Sequence, residues 1–188
     1  MTSILEVEQL DTLSSNASST LTIGGTNTTT IAFGPNVTTT PSSLANTPSF
    51  FVVRSGTQSG LSADTATKVQ WNSEIWDTDS AFDSTTNYRF TVPSGKAGKY
   101  SFTASLYTGN LQADNRYAIN YFYKNGSETY GTAYWYTSGS NNAFPRSTVV
   151  LNLSAGDYIE VYSRQQAGEL TVQPSSMTFF TGHKLIGA

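Results

Sequence analysis

Apolar and polar residues alternate strictly from Gly98 to Tyr107, and the apolar members that share one side are Tyr100, Phe102, Ala104 and Leu106. Because successive side chains of a β-strand point to opposite faces, this period predicts a strand with one buried face. No stretch of the chain shows a convincing amphipathic helix pattern. The sequence therefore predicts an all-β protein.

Short runs of similar character continue along the chain and are separated by turn residues. Asn125-Gly126 stands between two of them and is the dipeptide that two-residue hairpins favour. Eight to ten short strands with turns between them predict a β-sandwich or barrel. Besides 98–107, the predicted strands are Phe50–Arg54, Lys68–Trp76, Tyr88–Val92, Ala118–Lys124, Thr132–Thr137, Ser147–Leu153, Tyr158–Tyr162 and Met177–Ile186.

The N-terminal region, residues 1–48, differs in composition from residues 49–188. It contains three acids and not one Lys or Arg, and it is rich in Ser, Thr and Asn. Thr20–Thr29 is echoed by Thr30–Thr39, with Ile23 and Phe33 in the same phase. One such unit cannot bury its apolar face alone, but three chains wrapped together can. Residues 1–48 are thus predicted to be either an ordered trimeric stalk or a flexible attachment arm, and residues 49–188 to be a separate head.

The charge content excludes several classes of partner. Only 12% of the residues are charged and the net charge is −3, so no basic face could neutralise a row of phosphates. We therefore expect no nucleic-acid partner. No 18 apolar residues run together, and the start shows no basic and apolar leader pattern, so we expect neither a membrane span nor a secretory signal.

Few residues are available for catalysis or metal binding. His183 is the single histidine, there is no cysteine, and no motif places two acids together. We expect a structural role for His183, no enzymatic activity and no cofactor. Asp77, Asp79 and Asp83 share a loop whose oxygen-rich spacing can hold Ca²⁺. A solvated loop is the expectation there, and calcium binding is the alternative.

An aromatic band surrounds the predicted hairpin, and its members are Tyr117, Tyr121, Tyr123, Tyr130, Tyr134, Trp135 and Tyr136. Such side chains offer a flat apolar ring with a polar tip, which suits sugars, peptides and subunit interfaces alike. Cross-strand packing with subunit contact is one interpretation of the band, and ligand binding is the other. The candidate ligand-binding residues are Tyr130, Tyr134, Trp135 and Tyr136.

The order of aromatic and glycine residues from about 50 to 188 resembles the globular head of complement C1q, a jelly roll shared with tumour-necrosis-factor-like ligands. The residues that carry this resemblance are Trp71, Asp77, Phe82, Phe90, Gly98, Tyr100, Phe102, the segment Val149–Tyr162, Phe180 and Gly182. The resemblance implies a jelly-roll β-sandwich, a homotrimer with the aromatic face of one sheet about the threefold axis, and a non-enzymatic binding role.

Taken together, these features predict a trimeric virion structural protein, such as a fibre, spike or capsid decoration. The head is expected to project for attachment to a host-surface glycan or protein, and residues 1–48 to contact other virion proteins. The alternative is a secreted, extracellular adhesin or lectin of the same family.

Overall fold

The structure is a computed structural model that describes residues 46–109, 111, 115–138, 142–166 and 170–185. These residues form β-strands and no helix, so the all-β prediction is confirmed for this part of the chain. Among them there is no helical segment that could cross a membrane. Residues 1–45 lie outside the described residues, so the division at residue 48 and the stalk stay predictions.

Fifteen strands are present in the described ranges. Their bounds are β1 Ser49–Val53, β2 Gln58–Leu61, β3 Thr67–Lys68, β4 Ser73–Asp77, β5 Phe82–Asp83, β6 Arg89–Thr91, β7 Gly98–Ser105, β8 Thr108–Gly109, β9 Tyr117–Lys124, β10 Ser127–Glu128, β11 Ala133–Tyr136, β12 Arg146–Leu153, β13 Tyr158–Gln165, β14 Leu170–Val172 and β15 Phe179–Lys184.

One sheet has five antiparallel strands in the order β12-β7-β15-β1-β4. Ser49 pairs with His183, and the backbone amide of Lys184 donates to the carbonyl of Pro48 over 3.0 Å. Tyr100 pairs with Lys184 at this same end of the sheet. The first and last strands therefore lie side by side, so the start of β1 and the end of β15 are at the same pole of the sandwich.

The second sheet has seven strands, in the order β10-β9-β13-β6-β5, with β11 also paired to β9 and β3 to β13. The predicted hairpin joins β9 to β10, where Lys124 pairs with Ser127. Asn125 and Gly126 have φ angles of 52° and 80°. Positive φ at both central residues is what this turn requires, so the Asn-Gly prediction is confirmed.

The two sheets enclose one aromatic core. The Phe50 ring of the first sheet lies 5.1 Å from the Phe90 ring of the second, and the Phe102 ring lies 5.5 Å from Phe90. Strand β7 buries Tyr100, Phe102 and Ala104 as its alternation predicts. The described residues thus form a β-sandwich. Its other buried signature aromatics are Trp71, Phe82 and Phe180.

The prediction of one strand over Lys68–Trp76 is wrong. Lys68 belongs to β3, which pairs with β13, whereas β4 begins at Ser73 and pairs with β1 in the other sheet. Residues 69–72 therefore cross from one sheet to the other. Val69 and Trp71 are fully buried in this crossing. The apolar residues that suggested one face of an alternating strand therefore fill the core between the two sheets.

A third, small sheet of order β2-β14-β8 was not predicted from the sequence. Its strands have two to four residues, and β2 reads Gln-Ser-Gly-Leu. So short and polar a segment carries no period that could identify it as a strand. This sheet consequently depends on long-range pairing, such as Val172 with Gln58.

Candidate binding surface

Seven tyrosines share the outward face of the seven-stranded sheet, and we call this surface the tyrosine face. Strands β9, β11 and β13 position them, because residues at every second place along paired strands point the same way. Tyr162 pairs with Tyr121, and Tyr136 pairs with Tyr117. The members of the tyrosine face are Tyr117, Tyr121, Tyr123, Tyr134, Tyr136, Tyr158 and Tyr162.

One end of the tyrosine face is an open platform of three rings. Tyr134 and Tyr136 are 59% and 62% exposed, and their ring centroids lie 6.5 Å apart with only 16° between the planes. The Tyr117 ring lies 6.4 Å from Tyr134 and 6.2 Å from Tyr136, tilted by 55° and 67°. Two nearly parallel rings thus face solvent, with a third ring tilted against both.

A carboxylate and a guanidinium stand beside this platform. The Tyr117 hydroxyl donates a hydrogen bond to Oδ1 of Asp64, and this bond raises the pKa of Tyr117. Nη2 of Arg164 lies 3.8 Å from the same oxygen, with the Arg164 and Asp64 side chains 40% and 51% exposed. A hydrogen bond to the Tyr121 hydroxyl raises the pKa of Arg164. The pair keeps accessible donor and acceptor atoms next to the rings.

The other end of the tyrosine face is more tightly packed. The Tyr123 and Tyr162 rings stack at 4.0 Å with 26° between their planes. Glu160, only 3% exposed, forms an ion pair with Lys68. Burial raises the pKa of Tyr162. These contacts hold this end together as ordinary cross-strand packing.

The four candidate ligand-binding residues do not form one surface. Tyr134 and Tyr136 lie on the tyrosine face, but Trp135 pairs with Ala118 and so points to the opposite side of the sheet. Its ring packs edge-on against Phe144 at 5.7 Å. Tyr130 is 82% exposed and forms no ring contact with another described residue. The structure therefore groups only two of the four.

A second exposed aromatic surface lies on the outward face of the five-stranded sheet. The Phe51 ring is 5.0 Å from Trp76 and 5.3 Å from Phe179, and the Arg146 guanidinium lies over the Phe179 ring at 5.2 Å. Trp76 is 50% exposed. We call Trp76, Phe51 and Phe179 the aromatic row. It was not singled out from the sequence, because its members lie in strands whose order in the sheet is non-local.

The three loop carboxylates considered for calcium have separate partners. Oδ2 of Asp77 accepts from the Phe82 amide at 2.9 Å, and Asp79 lies 3.6 Å from Nζ of Lys96. Asp83 accepts from the amides of residues 85–87, and these bonds hold its pKa well below the ordinary range. Asp79 and Asp83 line an open cleft of about 280 Å³. Within the described ranges no three acidic or histidine side chains group around a metal position.

Two other residues that were named from the sequence, His183 and Gly98, lie in strands of the five-stranded sheet. His183 lies in β15 on the outward face of the five-stranded sheet, between Ser49 and Ser101. Gly98 begins β7 opposite Leu153.

Asp64, Arg164 and the tyrosines of β13 were not predicted as neighbours of the aromatic band. The alternation Tyr158-Ile-Glu-Val-Tyr162 places its two tyrosines on one face, but only the pairing of β13 with β9 brings them to the band.

Comparison with known proteins supports the fold. No protein-family model matches the sequence, and no curated protein matches it significantly. Among solved structures, the globular domain of zebrafish complement 1qA protein superposes with a TM-score of 0.50 and 19% identity, over 73% of this chain and 97% of that chain. Murine APRIL at pH 5.0 gives 0.52 and 18%, over 73% and 98%. Eiger TNF from S. frugiperda gives 0.53 and 16%, over 74% and 93%.

These likenesses define the class of fold. The described sandwich is a jelly roll of the kind found in complement C1q heads and tumour-necrosis-factor-like proteins. At 16–19% identity the similarity is one of architecture.

Proposed function

We propose that this chain is a non-enzymatic structural and binding head that assembles as a homotrimer. The observation that carries the proposal is the aromatic row on the five-stranded sheet, where Trp76 and the neighbouring Ile75 are 50% and 57% exposed. Burying a large apolar side chain stabilises by about 1.5–3 kcal/mol, so such a row favours a covered state. A closed threefold arrangement covers it in every copy.

The rest of this sheet face is suited to burial between subunits. Its central strands present the small uncharged residues Ser101, Thr103 and Thr181, while His183, Lys99 and Arg146 lie towards the ends of their strands. The Thr103 and Thr148 hydroxyls already hydrogen-bond each other at 2.8 Å. Burial of an unpaired charge costs free energy, and association of subunits through the middle of this face would bury no charged side chain. The resemblance to C1q-type heads implies the same oligomeric state.

The biological setting that we propose is the surface of a virion. Residues 1–48, with acidic side chains only and a ten-residue echo, would contact other virion proteins, and the head would project for host attachment. A secreted extracellular adhesin or lectin is the alternative. An antibody against residues 46–185 should label projections on native particles in electron microscopy. Labelling of soluble protein alone would support the secreted alternative.

Light scattering tests the trimer. The full chain should have three times the monomer mass of 20.3 kDa. Trp76→Glu places a charge in the proposed interface and should give a folded monomer by circular dichroism. Tyr136→Glu is the matched control, because it alters an aromatic residue on the other sheet that is at least as exposed, and it should stay trimeric. A stable monomer of the unmodified chain at micromolar concentration would contradict the proposal.

A further inference from the structure

We infer that the tyrosine face is a binding site for neutral, hexopyranose-containing glycans. The sugar would lie on Tyr134, Tyr136 and Tyr117, and Asp64 and Arg164 would hydrogen-bond its hydroxyls. This inference rests on the proposed function as an attachment head and names the class of ligand. It concerns the opposite sheet from the proposed trimer interface, so three copies can present it at once.

The geometry of the rings is the first support. Tyr134 and Tyr136 keep about three-fifths of their surface in solvent. Their near-parallel planes at 6.5 Å form a platform on which the C–H face of a pyranose ring can pack. Tyr117, tilted against both rings, limits the platform on one side. Tyrosine loses little side-chain entropy on binding, so ordering this exposed cluster against a ligand costs little free energy.

The hydrogen-bonding groups beside the platform are the second support. A sugar carries adjacent hydroxyls, each of which donates one hydrogen bond and accepts others. A carboxylate accepts only and a guanidinium donates only, so Asp64 and Arg164 together satisfy both roles of a hydroxyl pair. The bond from the Tyr117 hydroxyl to Asp64 already fixes the carboxylate next to the rings. The site therefore needs little reorganisation to accept a sugar.

The charges favour a neutral ligand. Beside the platform, Arg164 faces Asp64, so the cation there is compensated by an acid. At the other end of the tyrosine face, Lys68 faces Glu160 and the Arg89 guanidinium lies over the Tyr158 ring at 4.0 Å. An acidic sugar would have to compete with those carboxylates. A neutral sugar can replace the water on the Asp64–Arg164 pair without disturbing the balance of charge.

The exposure of the same pair favours a sugar over a protein. A protein partner would cover Asp64 and Arg164, and removing a half-exposed ion pair from water costs more than the pair returns unless every remaining atom is hydrogen-bonded. Sugar hydroxyls can supply those hydrogen bonds one for one and leave part of the pair in solvent.

A glycan array tests the inference with the full chain. The printed probes should include neutral oligosaccharides of glucose, galactose and mannose beside sialylated and sulfated ones. We expect binding to at least one neutral probe. Tyr134→Ala and Tyr136→Ala should each weaken it about tenfold, the effect of losing a contact of about 1.4 kcal/mol. Asp64→Asn should also weaken it, because the amide has one acceptor oxygen where the carboxylate has two.

Tyr130→Ala is the matched control. Tyr130 is the most exposed large aromatic residue described and lies off the platform, so its loss should leave glycan binding unchanged. Light scattering on each sample separates the two proposals. A trimer that binds no glycan, binds acidic glycans only, binds only a protein, or binds equally well without Tyr134 and Tyr136 would overturn the inference while leaving the trimeric head intact. Loss of the trimer itself would count against the proposed function.

Discussion

Gly182 lies opposite Phe102 in the five-stranded sheet, so close that a Cβ atom on Gly182 would stand 2.4 Å from Cδ1 of the Phe102 ring. The same Cβ would be 2.9 Å from the Phe50 ring. Both rings belong to the buried core and cannot swing into solvent. The absence of a side chain at this position is therefore what allows two phenylalanines to meet across the last strand.

Gly182→Ala should destabilise the protein through overpacking, by about 1–3 kcal/mol. Chemical denaturation of the two proteins measures this difference. Gly56→Ala is the matched control, since nothing lies within 4 Å of a Cβ there and no substantial change is expected. If both variants have the same denaturation midpoint as the parent, Gly182 does not lie as close to the Phe102 ring as described.

Phe102→Ala should cost about 3–5 kcal/mol of unfolding free energy, because a buried phenylalanine is deleted and a cavity remains. The ring is 1% exposed and contacts Phe90, Tyr100 and Phe180. Tyr130→Ala removes an aromatic ring that is 82% exposed and should change stability by less than about 0.5 kcal/mol. A Phe102 variant that melts with the parent would place this ring outside the core.

Asp157 should make stability fall in acid. Hydrogen bonds from Asn125, then Lys124, and from the Ser154 amide lower the pKa of Asp157 from 3.8 to about 2. A carboxyl group with a depressed folded pKa adds stability above its unfolded pKa, and loses it as the pH falls through the folded value. Melting temperatures of parent and Asp157→Asn should therefore differ at pH 5 and converge towards about pH 2. A difference that is constant over this range would contradict the assignment.

Truncation should distinguish two boundaries of the head. Pro48 is buried and its carbonyl accepts the Lys184 amide, so we expect it to stabilise the sandwich. A chain lacking residues 1–45 should fold to a β protein by circular dichroism. Removal of residues 1–48 should lower its melting temperature, because that hydrogen bond is lost. Failure of both truncated chains to fold would show that the N-terminal region is part of the domain.

Local features of the sequence were sufficient for much of the fold. The alternation in β7 predicts its buried face, and Asn125-Gly126 predicts the turn after β9, because both depend only on neighbouring residues. The crossing at residues 69–72 could not be predicted in this way. Trp71 has the same sequence neighbours whether it extends a strand or plugs the core, and only the distant pairing partners of β3 and β4 decide between them.

The candidate surface was predicted less well than the fold. Seven aromatic residues near the hairpin suggested a band, yet Trp135 points to the opposite face of the sheet from Tyr134 and Tyr136, because neighbouring strand residues face opposite ways. Asp64 is far from Tyr117 in sequence, and Arg164 reaches it through the pairing of β13 with β9. Such contacts are set by sheet order, for which a single sequence holds no local signal.

The pairing of Ser49 with His183 decides where the protein can be labelled or permuted. The chain enters and leaves the sandwich at one pole, and Leu185 is still tied there through its amide to the Lys99 carbonyl. A linker that joins Pro48 to Leu185 could therefore be short, because the Lys184 amide donates to the Pro48 carbonyl over 3.0 Å. A fluorescent reporter fused beyond Leu185 would therefore leave the sandwich at the same pole as Pro48.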